Sequence, residues 1–170
     1  MNPYLKLAQQ TVIEYFNNKE RLKTPTDLPE EMLNKKGGVF VTLYNQDKLR
    51  GCIGTFLPTE DNLAEEIISN ALSASTKDNR FSPITKEELP ELKYEVSILS
   101  EPELIKGLEE LDVKRYGIIV KAGYKTGLLL PDLKGVETVT EQIAIASQKA
   151  GINPANEKIE IYKFTTTKYE

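Results

Sequence analysis

The only cysteine of the chain, Cys52, lies two residues after an arginine and between two glycines, in the segment 49–56. A guanidinium beside a thiol favours the thiolate, which is the nucleophilic form of cysteine. A glycine within a strand marks a bulge or a place where a ligand or another backbone comes close. Cys52 is therefore a candidate nucleophile, and Arg50, Gly51 and Gly54 are candidate binding residues around it.

The chain contains no histidine, so no imidazole can activate the thiol, transfer protons or bind a metal ion. A Ser-His-Asp triad is excluded for the same reason. One cysteine cannot hold an iron–sulfur cluster. A metal site would have to consist of carboxylate oxygens, and no Asp-x-Asp loop is present. We therefore expect neither a metal ion nor a cofactor in this chain.

The cysteine segment is predicted to be a β-strand, paired in a hairpin with a strand at 39–44. Side chains alternate along a strand, so Arg50, Cys52 and Gly54 share one face, with Arg50 and Cys52 about 7 Å apart. Two interpretations stay open. Either Arg50 activates the thiol, or the thiol is a small core residue and Arg50 pairs with an acidic neighbour.

Three further polar residues are candidates for the same site. Arg80 is suited to binding a carboxylate or phosphate through two parallel hydrogen bonds, or to a structural salt bridge with Asp78 or Glu95. Glu95 is a candidate general acid or base, or alternatively a solvated or paired carboxylate. Asn70 falls on an otherwise apolar helix face, where a buried amide needs partners, and is expected to support the cysteine segment from behind.

The composition limits the classes of protein that are possible. A chain of 170 residues with 39% hydrophobic residues is expected to form one globular domain, 1–170. The net charge of -4 argues against a nucleic-acid-binding protein, although a local basic cleft is compatible with it. A single cysteine fits a reducing compartment, so we expect a cytoplasmic protein. No apolar run approaches the roughly 20 residues of a membrane helix.

The order of predicted elements is repeated along the chain. An N-terminal helix is predicted at 3–17, followed by two sublobes at about 38–100 and 115–165. Each sublobe is predicted as strand, strand, helix and strand, which makes the fold class mixed α+β and suggests an internal duplication. The alternative is coincidence, because such units are common in mixed domains.

The two sublobes can be compared at the cysteine segment. Residues 50–52 of the first correspond approximately to residues 125–127 of the second, where there is no thiol. The first sublobe helix is predicted to begin from a cap at 59–61 and to continue to about Ala74. Any chemistry of the thiol is therefore expected in the first sublobe alone.

The motifs resemble those of a known family. The segment Leu-Arg-Gly-Cys-Ile-Gly-Thr-Phe at 49–56 looks like the hallmark octapeptide of the AMMECR family. The resemblance extends from about residue 5 to residue 164. Its further landmarks are Asp-Asn-Arg-Phe-Ser-Pro at 78–83, Glu-Leu-Pro-Glu-Leu at 88–92, Glu-Val-Ser-Ile-Leu at 95–99, Gly-Leu-Leu-Leu-Pro at 127–131 and Lys-Ala-Gly at 149–151.

This resemblance implies two repeated lobes that share a barrel-like sheet, with the cysteine segment near a cleft between the lobes. It also implies partners, because microbial members of the family occur with a Memo-like protein and a radical S-adenosylmethionine protein. The activity of the family is unresolved, so the resemblance does not settle whether the chain is an enzyme.

Two functional hypotheses follow. In the first, the chain is an enzyme or enzyme component that presents Cys52, Arg50 and Arg80 to an anionic small molecule or a modified base. In the second, it is a non-catalytic module that binds a Memo-like or radical S-adenosylmethionine partner. A nucleic-acid binder is a third possibility, which the acidic composition opposes.

Overall fold

The computed structural model describes all residues, 1–170, and divides them into two compact units. The first unit comprises residues 1–99 and 167–170, and the second comprises residues 100–166. Each unit has its own hydrophobic core and its own four-stranded sheet. The predicted fold class, a mixed α/β protein, is confirmed.

The chain forms four α-helices and eight strands. In chain order they are α1 (Pro3–Asn18), α2 (Glu30–Asn34), β1 (Val39–Asn45), β2 (Lys48–Thr55), α3 (Leu63–Thr76), β3 (Leu92–Leu99), β4 (Glu103–Leu104), β5 (Gly117–Ala122), β6 (Lys125–Leu129), α4 (Val139–Lys149), β7 (Glu160–Phe164) and β8 (Thr166–Tyr169). Two 3-10 helices, Lys86–Glu91 and Leu108–Glu110, lie before β3 and β5. None of the helices is both long and apolar enough to cross a membrane.

Helix α1 begins where the sequence provides a cap and a proline. The side chain of Asn2 accepts a hydrogen bond from the backbone N–H of Tyr4 at 2.9 Å, and Pro3 has no N–H that needs a partner. The helix extends to Asn18, one residue beyond the prediction. It stops at Lys19, whose φ of 61° is left-handed.

Helix α3 begins later than predicted. Its cap is Asn62, whose side chain accepts a hydrogen bond from the N–H of Glu65 at 2.9 Å. The predicted cap residues, 59–61, are still in the connection, where Thr59 donates its hydroxyl and its N–H to the carboxylate of Glu66. The helix continues to Thr76 because the next turn is still hydrogen-bonded. The residues that looked like a cap therefore donate to the carboxylate of Glu66, which lies within α3 itself.

The two units share the predicted connectivity. In the first, β1 pairs antiparallel with β2 and β3, and α3 packs on β1 and β2. In the second, β5 pairs antiparallel with β6 and β7, and α4 packs on β6 and β5. The expected barrel-like sheet shared by both lobes is wrong. Each hairpin pairs with a third strand of its own unit, and the sheets, ordered β2-β1-β3-β8 and β4-β7-β5-β6, are separate and open.

Two glycines mark equivalent positions in the two units. A Cβ on Gly51 would lie 2.2 Å from a backbone oxygen of α3, and a Cβ on Gly127 would lie 2.0 Å from a backbone oxygen of α4. Both positions therefore exclude a side chain. If Gly51 and Gly127 are equivalent in the repeat, Cys52 corresponds to Leu128, one residue away from the predicted alignment.

Candidate functional site

Cys52 lies on β2, the outer strand of the first sheet, and its side chain is partly exposed. It is not among the residues of the first hydrophobic core. Its register partner on β1 is Thr42, and Thr42 Oγ1 lies 3.2 Å from Cys52 Sγ, a hydrogen-bond contact between hydroxyl and thiol. The residue is therefore neither fully buried nor fully exposed, and its sulfur has one polar side-chain neighbour.

Strand β2 is irregular at Arg50. The register with β1 shifts between Leu43, which pairs with Gly51, and Tyr44, which pairs with Leu49. Arg50 is the additional residue of a β-bulge, which breaks the alternation of side chains. The prediction that Arg50 and Cys52 share one face of a regular strand is therefore wrong. The orientation of the Arg50 guanidinium follows from its hydrogen bonds, which are described below.

Asp78 and Arg80 bind both polar groups of the Cys52 backbone. Asp78 Oδ2 accepts a hydrogen bond from the N–H of Cys52 at 2.9 Å, and Arg80 Nη2 donates one to the Cys52 carbonyl at 3.3 Å. The two side chains also form a bidentate pair, with Nε–Oδ1 at 3.0 Å and Nη2–Oδ2 at 2.7 Å. Since β2 is an edge strand, these contacts occupy backbone groups that another strand would otherwise pair with.

The carboxylate of Asp78 is buried, yet it is held in the charged form. The hydrogen bonds from the Arg80 side chain, together with those from the N–H groups of Cys52 and Arg80, hold the pKa of Asp78 well below its usual range, although burial opposes this. The Asp78 side chain is only 6% exposed, whereas that of Arg80 is 57% exposed. The pair therefore has a fixed anionic end and an accessible cationic end.

Arg50 is held by a different carboxylate. Its Nε and Nη2 donate to the two oxygens of Glu88 at 2.7 and 3.1 Å, and its Nη1 and Nη2 donate to the carbonyls of Ser82 and Pro83 at 2.9 and 3.3 Å. The hydrogen bonds from Arg50 are the main reason that the pKa of Glu88 is lowered from 4.5 to about 2. Every nitrogen of the Arg50 guanidinium therefore has a partner within the protein.

Phe81 contacts both arginines. The centre of its ring lies 6.0 Å from the guanidinium carbon of Arg50 and 5.5 Å from that of Arg80, within the range of cation–π attraction. Residues 78–83 therefore lie along the outer edge of β2. We use the name β2-edge cluster for Arg50, Cys52, Asp78, Arg80, Phe81 and Glu88.

The guanidinium that accompanies the thiol is that of Arg80. Its pKa is raised, first by the hydrogen bonds to Asp78 and also by the negative charge of that carboxylate. Its Nη1 has no hydrogen-bond partner within the protein, whereas Arg50 has none of its nitrogens free. Of the two predicted arginines, Arg80 is the one available to a ligand.

Glu95 lies on β3, across β1 from the cysteine. Thr42 is the register partner of both Cys52 and Glu95, which separates the two outer residues by two strand spacings, about 10 Å. Glu95 pairs with Lys168 of β8 at 3.4 Å. A general base must come within about 3 Å of the proton it takes, so Glu95 reaches Cys52 only through a water molecule or a substrate group.

Three other predicted site residues have internal contacts. Gly51 packs against α3, as described above, and Gly54 lies under the ring of Phe40, which a Cβ would approach to 2.3 Å. Asn70 donates from Nδ2 to the carbonyl of Val39 and to Thr55 Oγ1, both at 3.1 Å. Asn70 thus joins α3 to β1 and β2, and these contacts do not bring it to the β2-edge cluster.

Sequence reasoning missed the roles of Glu88 and Glu66. Glu88 was visible as part of a family-like segment, but nothing in the sequence pairs it with Arg50, 38 residues away. Glu66 is 1% exposed and accepts hydrogen bonds from Thr55, Thr59 and the N–H of Glu60. Burial by itself raises the pKa of Glu66, but these hydrogen bonds together lower it. A glutamate on an apolar helix face was the available signal.

The structure contains no group of three or more cysteine, aspartate or glutamate side chains arranged to hold a metal ion. The carboxylates of the β2-edge cluster are each engaged by an arginine. A cation would have to displace that arginine before it could bind.

Known proteins resemble this chain over almost its whole length. The AMMECR1 family model matches residues 5–169. The chain belongs to the AMMECR1 family. A Thermotoga maritima protein is 46% identical over 170 residues, which cover 99% of this chain and 98% of the relative. A Clostridium acetobutylicum protein is also 46% identical over 170 residues, but these cover only 36% of that protein.

A solved AMMECR1-like structure confirms the fold. The crystal structure of an uncharacterized protein from Pyrococcus horikoshii superposes with a TM-score of 0.82 at 35% sequence identity, covering 97% of this chain and 88% of the other. The names of these relatives assign no activity. Membership of the AMMECR1 family therefore establishes the fold, and the chemistry has to be argued from the site.

Proposed function

We propose that this AMMECR1 protein is an enzyme or enzyme component in which Cys52 is a nucleophile or covalent carrier. The arrangement at the thiol carries the proposal. Cys52 is a half-buried residue whose sulfur lies beside the Thr42 hydroxyl, and both polar groups of its backbone are held in place. A rigid backbone with an accessible thiol is what a nucleophile requires.

Arg80 is the proposed binding residue for an anionic group of a small-molecule substrate. Its Nη1 is free, and its guanidinium is anchored by Asp78 and lies at the backbone carbonyl of Cys52. A planar guanidinium suits carboxylate or phosphate groups. Arg50, Gly51 and Gly54 shape the site through their internal contacts, and Asn70 supports strands β1 and β2 from α3.

We further propose that the protein acts with a Memo-like protein and a radical S-adenosylmethionine protein, as the family resemblance implies. The Clostridium acetobutylicum relative supports a partnership in general terms, because most of its length lies outside the segment that matches this chain. A separate partner protein in one organism often corresponds to a fused domain in another.

Glu95, paired with Lys168, is the proposed acid or base once a substrate bridges the distance to Cys52.

A non-catalytic binding module is the second candidate. One observation favours it: both arginines of the β2-edge cluster are already paired, with Asp78 and Glu88, so the cluster has no excess positive charge to attract a small anion. In this case the cluster is a recognition surface for a partner protein, and the sulfur is dispensable.

The rate of alkylation by iodoacetamide distinguishes the two candidates. Because the chain has a single cysteine, every labelled molecule reports on Cys52. If Cys52 is a nucleophile favoured by Arg80, it is expected to react about tenfold faster at pH 7 in the native protein than in urea. The reason is that a nearby cation increases the fraction of the thiol that is present as thiolate, and urea unfolding removes that cation. Cys52→Ser gives the background. Native labelling no faster than denatured labelling rejects the nucleophile.

Pull-down of a Memo-like protein tests the second candidate. If the cluster is only a recognition surface, Cys52→Ser is expected to recover as much partner as the wild type does. Loss of partner with Cys52→Ser, at unchanged stability, would mean that the sulfur itself takes part in binding.

A further inference from the structure

We infer that Asp78 is a positioning residue for Cys52, because it holds the backbone N–H of the cysteine and, through Arg80, places a positive charge at the backbone carbonyl of the same residue. The inference rests on the proposed function, since it concerns control of the same thiol. In this inference Asp78 keeps Cys52 reactive although it does not contact the sulfur atom.

The carboxylate of Asp78 is fully used within the protein. Oδ2 accepts from the N–H of Cys52 and from Arg80 Nη2, at 2.9 and 2.7 Å. Oδ1 accepts from the backbone N–H and from Nε of Arg80, at 3.1 and 3.0 Å. With both oxygens engaged and the side chain 6% exposed, Asp78 has no free position for a substrate. It acts only through the two residues that it binds.

Arg80 depends on this carboxylate for its location. Apart from Asp78, the only group that holds its side chain by a hydrogen bond is the carbonyl of Cys52, at 3.3 Å. The side chain is 57% exposed, so solvent competes for the guanidinium as soon as the carboxylate is lost. Removal of the Asp78 charge is therefore expected to release the cation that accompanies the thiol.

The opposite effect is also physically possible and gives the inference a clear test. A carboxylate near a thiol disfavours the thiolate by like-charge repulsion. If Asp78 acted mainly in this direct way, its neutralisation would accelerate alkylation of Cys52. Positioning through Arg80 predicts the contrary sign, a slower reaction.

The test measures alkylation rates against pH for Asp78→Asn, Arg80→Met and the double variant. We expect each single variant to react about threefold to tenfold more slowly at pH 7, with the rise in rate displaced to higher pH. The double variant is expected to be no slower than Arg80→Met alone, because Asp78 then has no cation to place. Acceleration by Asp78→Asn, no change, or full additivity with Arg80→Met overturns the inference.

Glu65→Gln is the matched control. It removes the charge from another carboxylate–guanidinium pair of the first unit, that of Glu65 with Arg21 at 2.7 Å, and no hydrogen bond joins this pair to Cys52, Asp78 or Arg80. Its labelling rate is expected to stay within about twofold of the wild type. An equal loss of rate in Glu65→Gln would show that general loosening of the first unit slows labelling, and it would overturn the specific role of Asp78.

Two provisions keep the test decisive. If Asp78→Asn does not fold, Asp78→Glu keeps the charge but displaces it by one methylene; slower labelling supports positioning, and an unchanged rate rejects it. A slow wild-type thiol would reject the proposed function. The rates of the single and double variants are compared with the wild-type rate, whatever its value. The role of Asp78 is therefore tested independently of the proposed function.

Discussion

At the scale of single residues, the two arginines near Cys52 differ because of their partners. Arg50 is bound by Glu88 and by two carbonyls, with 15% of its side chain exposed, so it fastens residues 78–88 to β2. Arg80 is bound mainly by Asp78 and remains accessible. The same side chain therefore serves structure in one place and is available for binding in the other.

The pair of Glu88 with Arg50 makes stability depend on pH. The pKa of Glu88 is lowered from 4.5 to about 2 in the folded protein, so its contribution is present in full above pH 4.5 and is lost as the pH falls towards 2. Glu88→Gln is expected to lower the free energy of unfolding at pH 7 by about 1–2 kcal/mol. The difference from the wild type should shrink at pH 2.5, as measured by urea unfolding.

The exposed neighbour provides the control for this prediction. Glu87→Gln removes the same charge from a side chain that forms no salt bridge or hydrogen bond, and the unfolding free energy of this variant should follow that of the wild type at both pH values. A Glu88→Gln deficit of the same size at pH 2.5 and pH 7 would contradict the assignment of the pH effect to this pair.

At the scale of elements, strand β2 is confined on two sides. Helix α3 packs so close to it that Gly51 has no room for a side chain, and residues 78–83 cover its outer edge at Cys52. The bulge at Arg50 turns that side chain toward Glu88. The glycines of the cysteine segment thus serve packing within the first unit.

Substitution of these glycines tests the packing. Gly51→Ala places a Cβ 2.2 Å from a backbone oxygen of α3, which only a displacement of the helix can relieve, so we expect a loss of about 2–3 kcal/mol. Gly54→Ala brings its Cβ 2.3 Å from Cγ of the half-buried Phe40 side chain, which can change its rotamer at a lower cost than the displacement of a helix. Urea unfolding of the two variants should rank Gly51→Ala as the less stable, and equal losses would contradict this account.

At the scale of the whole molecule, the chain completes the first sheet only with its last residues. After the second unit it returns as β8, which lies next to β3. Tyr169 stacks on Tyr4 of α1, with ring centres 4.4 Å apart, and Lys168 pairs with Glu95. The first unit therefore joins both ends of the chain.

Removal of residues 167–170 should destabilise the first unit. The truncated chain loses the aromatic stack, worth about 1 kcal/mol, and the edge-strand hydrogen bonds, worth about 1 kcal/mol each. We expect a clearly lower melting temperature in calorimetry. Tyr169→Phe keeps the stack and serves as the control. A truncated chain that melts with the wild type would show that β8 contributes nothing to stability.

The sequence by itself determined the types and order of the elements around the site. The alternating strands, the proline after Asn2 and the polar turn between β1 and β2 are local signals, because neighbouring residues set backbone preferences directly. They sufficed to place Cys52 on a hairpin strand and to predict two similar units. They erred at the beginning of α3, where the carboxylate of Glu66 in the helix engages Thr59 and Asn62 becomes the cap.

Only the tertiary structure decided which charges surround the thiol. The contacts of Cys52 with Asp78 and Arg80, and of Arg50 with Glu88, join residues 26 to 38 positions apart. Local propensity carries no information about such pairs, since they form only when residues 78–83 lie along the edge of β2. From the sequence, Arg50 and Arg80 were both candidates for binding an anion. In the fold they differ, because Arg50 pairs with Glu88 and is largely buried, whereas Arg80 pairs with Asp78 and is largely exposed.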